Sequence, residues 1–493
     1  MNLKILLIIP LGLLIIAFAF SPPGCDGSET GSDGSVYDYE THGTAHPDYY
    51  CEITHVVTEE TILRTPAVLE GYDVRVLSSN AFTGCMMGSV ILPKNLEIIE
   101  EGAFTGCPLL KDAYFMGDRP QMDGAFPEGV IFHYIPGRDG WDDATPIQVV
   151  TDDGVDYAIL PDGPTVIGGK PIDGILTVKD EVEGSKVTSI DHYSFAGTMT
   201  ADGTVDRRSD IIVVHLPEGL ESIGQRAFYY NDLQVIDLPD SVRHVQDEAF
   251  RACYDLKEIK ITPDMDYIGF EAFRDCHALT ELIIPNTVDH IGDGAFYICE
   301  GLVRLYVDAD IAPRMFGWCV SLEEVELGES VRSIGSMGFY RCESLTSIAI
   351  PSGVSGISSE AFRDCISLKH IDLGSVEEIG RSAFRGCESL TSIDLPSTLS
   401  SMGGYAFADC TGIKDIYAYG KAPSGDGTAF LNVDATVHCH KTDLESWENS
   451  GFGLTVKGDL RGESSDILVI AAVSAVVLSI LAVSAVVILR MKR

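Results

Sequence analysis

Apolar positions recur along most of the chain in one fixed order, Leu-x-x-Ile-x-Leu-Pro-x-x-Val-x-x-Ile-Gly-x-x-Ala-Phe-x-x-Cys, as at Leu390, Ile393, Leu395, Pro396, Leu399, Met402, Gly403, Ala406, Phe407 and Cys410. The anchor phenylalanine returns at Phe228, Phe250, Phe273, Phe296, Phe316, Phe339, Phe362, Phe384, Phe407 and Phe430, at steps of 22, 23, 23, 20, 23, 23, 22, 23 and 23 residues. Such a period predicts a solenoid. The opening of each unit alternates like a strand, and Pro217, Pro239, Pro263, Pro285, Pro351 and Pro396 close it, because proline cannot donate a ladder hydrogen bond. Each coil is expected to supply one short strand and a turn. A single coil cannot bury its own apolar row, so strands must pair in parallel with those one repeat away.

The repeats fall into two arrays. A short one spans 51–150, with anchors at Phe82, Phe104 and Phe126, and a long one spans 151–458. Glu183–Ile190 echoes Glu70–Leu77, and the ending Ala429-Phe430 through Val437 to Trp447 echoes Ala125-Phe126 through Ile135-Pro136 to Trp141, so each array carries atypical terminal coils that cap its core. Near the boundary, Tyr157–Gly163 is an apolar run closed by an Asp-Gly turn. Two irregularities stand out: a polar insertion, Thr200–Asp210, stretches the step from Phe195 to Phe228 to 33 residues, and the short step to Phe316, with Pro313 inside it, marks a tightened or bent coil.

The run Ile-Gly-x-x-Ala-Phe-x-x-Cys-x-x-Leu resembles the BspA-like leucine-rich repeat family, as does the order in which Cys342 precedes Leu345, Ile348 and Ile350. The resemblance covers roughly residues 70–450. It implies a mainly β leucine-rich repeat solenoid with turns and short helical segments, and a cell-surface role in adhesion or in binding host or matrix molecules.

The ends of the chain point the same way. Lys4 and the apolar run Ile5–Ile16, followed by Ala17-Phe18-Ala19, read as a signal peptide over 1–19, with an uncleaved anchor or lipidation at Cys25 as alternatives. Residues 20–50 have the composition of an acidic, disordered linker. Within it Asp26, Ser28, Thr30 and Gly31 imitate the start of a calcium loop, but Tyr37 stands where a glutamate belongs. After a juxtamembrane stretch, 459–466, the run 467–489 is 23 residues without a charge and, at about 1.5 Å per residue, spans about 35 Å as a transmembrane helix. Arg490, Lys492 and Arg493 in the 490–493 tail place that end in the cytoplasm and the repeats outside, in a single-pass arrangement. Ala471, Ala475 and Ser479, four apart, leave self-association of that helix open.

Ten of the 13 cysteines, at Cys85, Cys107, Cys253, Cys276, Cys299, Cys319, Cys342, Cys365, Cys387 and Cys410, lie three residues after an anchor. That spacing predicts a ladder of buried thiols, with the rungs Phe250/Cys253, Phe273/Cys276, Phe296/Cys299, Phe339/Cys342, Phe362/Cys365, Phe384/Cys387 and Phe407/Cys410. Cys25, Cys51 and Cys439 stand outside it, and Cys25 with Cys51 is a conceivable bridge. The exported part carries 30 basic against 74 acidic side chains, which disfavours nucleic acid as a partner. The sequence holds no Gly-x-Ser-x-Gly elbow, His-Glu-x-x-His or phosphate loop, and His438-Cys439-His440 lacks a third ligand nearby, so neither catalysis, a metal nor a cofactor is expected.

What remains is a surface. The outward strand positions Lys257, Glu258, Glu281, Ile283, Arg304, Tyr306, Glu323, Glu324 and Glu326, with His370 and Tyr417 further on, form the candidate ligand-binding face. The expected partner is an extracellular protein or glycan; the alternative is a structural envelope component that assembles through its repeats.

Overall fold

The computed structural model describes residues 26–30, 35–42, 50–69, 72–199 and 205–460. The expected signal peptide, Cys25 and the expected membrane helix 467–489 with its basic tail lie outside the described residues. Among those described, no helix is long and apolar enough to cross a membrane.

The chain winds into a mainly parallel β solenoid of about 17 turns. The one described α-helix is Leu444–Glu448. Each coil was expected to hold one strand, but many hold two. The Leu-x-x-Ile-x-Leu segment gives strands such as Glu281–Ile284, Arg304–Val307 and Glu324–Leu327, paired in parallel. The Ile-Gly segment adds a second ladder, Ser222–Ile223, His244–Val245, Tyr267–Ile268 and His290–Ile291. These second strands are only two residues long, too short for alternation to reveal them.

The Ala-Phe turn closes the coil and is itself a ladder. Phe250 N–H donates to Ala272 O and Phe273 N–H to Ala295 O, both at 2.8 Å. The residues two before and two after the anchor take left-handed backbone angles, in many coils without being glycine, as Glu248 (φ 52°), Ala252 (φ 59°), Glu360 (φ 59°) and Asp364 (φ 59°). That costs roughly 1–2 kcal/mol per residue. The hydrogen bonds gained offset it: Glu248 N–H reaches Phe270 O and Ala252 N–H reaches Arg274 O, each at 2.8 Å.

Inside, the anchor rings stack face to face, 5.2 Å apart from Phe250 to Phe273 and from Phe362 to Phe384. The shortened step shows as the widest spacing in the column, 5.9 Å between Phe296 and Phe316. Despite a step of 33 residues, Phe195 and Phe228 still stack at 5.3 Å, because the insertion leaves the coil as a small hairpin, Thr198–Met199 against Val205–Asp206.

The ten ladder cysteines are buried thiols. The ladder thiols have a specific task. Cys253 Sγ donates to Phe228 O at 3.1 Å, Cys276 to Phe250 O at 3.3 Å, Cys365 to Phe339 O at 3.2 Å and Cys410 to Phe384 O at 3.0 Å, each satisfying the inward carbonyl of the preceding anchor. Asn231, three residues after Phe228, does the same with its amide, 3.0 Å from Phe195 O. Burial pushes the Cys319 thiol up to about 12 and the Cys107 thiol up to about 11, so both stay protonated.

Within the stretch read as a disordered linker, residues 26–30 and 36–42 form strands. Val36–His42 pairs antiparallel with Tyr50–Val57, and Asp26–Thr30 pairs onto Val36–His42 in turn. Tyr37, Tyr39 and Thr41 alternate inward and cover the first coil, so three well-placed side chains outweigh a polar composition. With Asp26, Ser28 and Thr30 in a strand, the calcium-loop geometry does not arise. Cys51 is buried, its thiol 3.6 Å from Leu69 O.

Two large apolar cores result, one within residues 37–141 and one within 155–452. A small third cluster, Ile91, Met116, Ile135, Ile147, Ala158 and Leu160, joins them. Beside it runs a polar seam. Gln225 accepts from Ala67 N–H (2.7 Å) and Val68 N–H (2.9 Å) and donates to Val68 O (2.7 Å). Arg64 pairs with Asp191 at 2.7 Å and Asp162 at 3.0 Å, while Asp73 takes the Tyr193 hydroxyl at 2.6 Å and pairs with Arg226.

Candidate interaction surface

The strand face is built by register. Because parallel pairing aligns equal positions of successive coils, Glu281, Arg304 and Glu324 form one row and Ile283, Tyr306 and Glu326 the next. Leu282, Leu305 and the other inward residues hold the strands to the core, so the outward chains sit on a rigid plane. Arg304 pairs with Glu281, and Tyr306 and Ile283 are half-buried between carboxylates. Partial burial, with Asp308 and Glu326 beside it, pushes the Tyr306 hydroxyl up, keeping it a neutral donor.

The remaining candidates are placed differently. Lys257 and Glu258 are exposed on a segment, 256–262, that is not a strand, where Lys257 Nζ reaches Gln234 Oε1 at 3.0 Å. Glu323 is exposed just ahead of its strand. His370 lies in the separate pair Ser347–Ala349 and His370–Asp372. Tyr417 belongs to the four-stranded sheet at the end of the long array.

That end holds a constellation the sequence reading missed. His438 sits between Asp459 (2.9 Å) and Asp415 (3.0 Å) and stacks on Tyr417 with ring centroids 5.2 Å apart. The short array ends alike: His133 meets Asp112 at 2.8 Å and stacks on Tyr114 at 4.3 Å. Comparing the two endings residue by residue would have found it. Cys439 points inward instead, and the described residues include no cluster of metal-ligating side chains.

A second missed feature runs along the Ala-Phe turns, where Arg226, Glu248, Arg251, Glu271 and Arg274 alternate in a continuous ion-pair chain at 2.6–2.8 Å. Burial would raise the Glu248 carboxyl, but Arg226 and Arg251 hold it below its ordinary value. Its charges satisfy one another, which marks the chain as structural.

Stacked coils with parallel strands, a phenylalanine column and thiols or an asparagine amide on inward carbonyls define a leucine-rich repeat solenoid. The BspA type leucine rich repeat region family matches residues 71–119, 181–303 and 309–435 in six copies, more than half of the sequence, and the chain belongs to it. Solved structures are similar. One is a leucine-rich repeat protein from Bacteroides ovatus, 21% identical, with TM-score 0.41, covering 85% of this chain and 98% of that one. Another is a leucine rich cell surface protein from Faecalibacterium prausnitzii, 19% identical, with TM-score 0.29, covering 88% and 98%. A third is a leucine rich repeat protein of T. pallidum, 22% identical, with TM-score 0.28, covering 49% and 91%. No curated protein matches the sequence.

Proposed function

We propose that this protein is a cell-surface recognition protein that is anchored by residues 467–489 and binds an extracellular protein or glycan through the outward strand face of its long array. The observation that carries the reading is the pair of rows Glu281/Arg304/Glu324 and Ile283/Tyr306/Glu326, which place a half-exposed aromatic and an aliphatic side chain among charges on a rigid sheet. Membership of the BspA type leucine rich repeat family supports it, as do the apolar, charge-free run and the basic residues after it. Residues 20–466 made as a soluble fragment should bind intact cells or matrix proteins saturably, and Tyr306→Ala with Arg304→Glu should abolish that binding while leaving the melt unchanged. Ordered self-assembly without such binding would instead favour the envelope role.

A further inference from the structure

The strand face of the short array is covered, and what covers it belongs to the same chain. Arg64, Ile91 and Tyr114 form one outward row, because Arg64 pairs in register with Ile91 and Ile91 with Tyr114, while Val90 and Leu92 enter the short-array core. Beside that row lies the antiparallel hairpin that opens the long array, Val155–Leu160 with Gly163–Gly169. Its two faces are divided. Val155, Tyr157 and Val166 enter the long-array core, whereas Ala158 and Leu160 join Ile91, Met116, Ile135 and Ile147 in one apolar cluster, with Tyr114 and Ile167 packed against it. Ile91 is left 1% exposed. Near the hairpin's turn Asp162 meets Arg64 at 3.0 Å.

The long array carries the same pair without such a cover. Ile283 pairs in register with Tyr306 as Ile91 does with Tyr114, and each isoleucine stands two residues before a proline that follows its strand, Pro93 or Pro285. Ile283 is only half-buried. One coil earlier, at the position of Arg64, stands Lys260, which pairs with Asp240 at 2.8 Å although both side chains are about two-thirds exposed, 64% and 67%. An exposed pair of that kind is weak, so an incoming carboxylate can replace Asp240. Beyond the pair the rows differ: His133 follows Tyr114, but Glu326 follows Tyr306, which suits a basic or uncharged edge at that side.

On the reading of the strand face as the recognition surface, we infer that Ile283 and Tyr306 form the docking site for a β-hairpin of a partner protein, one with small aliphatic side chains on one face and a carboxylate near its turn. The short array shows the fit, since the chain seats such a hairpin of its own on the same row in the same register. Packing of sheet on sheet buries aliphatic side chains between two rigid surfaces, and Lys260 sets which way the hairpin points.

The test uses the full chain, whose own hairpin keeps the Ile91 row occupied, and a fluorescent cyclic peptide of residues 154–169 with its ends joined. The peptide carries Val155→Thr, Tyr157→Thr and Val166→Thr, so that its apolar face is the one with Ala158 and Leu160. Anisotropy should rise saturably. Leu160→Asp in the peptide, or Ile283→Asp in the protein, should weaken binding about tenfold or more. Asp162→Lys in the peptide and Lys260→Glu in the protein should each weaken it, and the two reversals combined should restore it. The peptide-side changes keep the test readable if a protein variant folds poorly. Binding that survives Ile283→Asp, or reversals that do not rescue one another, would overturn the proposal. Absence of peptide binding, while Tyr306→Ala still abolishes capture of matrix proteins or cells, would overturn the hairpin and leave the face standing; loss of both would overturn the two readings together.

Discussion

The interior of the long array and the seam between the arrays are equally hidden from water but made of opposite materials. Inside, one phenylalanine and one thiol or amide recur coil after coil, and the inward carbonyl of an anchor finds its partner one coil away. At the seam the pattern breaks: Gln225, Arg64, Asp73 and Tyr193 make contacts between the arrays that the other described coils do not repeat. Stability in the interior is therefore shared among like neighbours, whereas the seam depends on single side chains whose loss strands a buried partner.

The strongest way to break the comparison is Phe362→Ala. It removes a ring stacked on both sides, and the cavity should cost about 3–5 kcal/mol by denaturant melts of the long array. Phe430→Ala, with a stacked ring on one face and the edge-on Phe452 on the other, should cost less, and Phe104→Ala should leave the long-array transition nearly in place. Equal losses from all three would mean that damage does not travel coil to coil.

Acid should find the seam next. Burial lowers His192 to about 4 from its ordinary 6.5, against the attraction of Asp191 and with the repulsion of Arg64 and Lys94. Its folded value lies below its unfolded one, so the unfolded chain binds the proton first. The His192 contribution is fully present above pH 6.5, falls as the pH drops, and is gone near pH 4. Melts of wild type against His192→Gln between those limits should converge toward low pH, and parallel curves would rule the group out.

Gln225→Ala should cost about 1–3 kcal/mol, because it strands the buried Ala67 and Val68 amides. Hydrogen exchange should quicken at those two amides while the Phe362 region keeps its protection. The smallest effect is expected at Asn231→Cys. A thiol can give the same bond to Phe195 O but only weakly accepts from Leu233 N–H in place of the amide oxygen (3.0 Å), so the change should cost about 1 kcal/mol, whereas Asn231→Leu loses both bonds and should cost more.

These differences also explain what the sequence disclosed. The phenylalanine column and thiol ladder were legible because ten coils repeat the same pair at nearly constant spacing, so periodicity amplifies a weak local signal. The second strand of each coil was not, since Ser222-Ile223 is too short to alternate. Nor was the first hairpin, where Tyr37, Tyr39 and Thr41 are diluted by polar neighbours. The strand rows of the candidate surface followed from register alone, but Asp415, His438 and Asp459 come from three segments and are brought together only by folding.

One consequence of the thiol ladder concerns manufacture rather than architecture. With the ladder cysteines held as buried thiols on the anchor carbonyls, these coils close without a disulfide between their rungs. The same chemistry sets the point of weakness. Peroxide reaching a nascent chain before the coils close would turn a rung into a sulfenic acid or a wrong disulfide, whereas the finished column gives it nothing to attack.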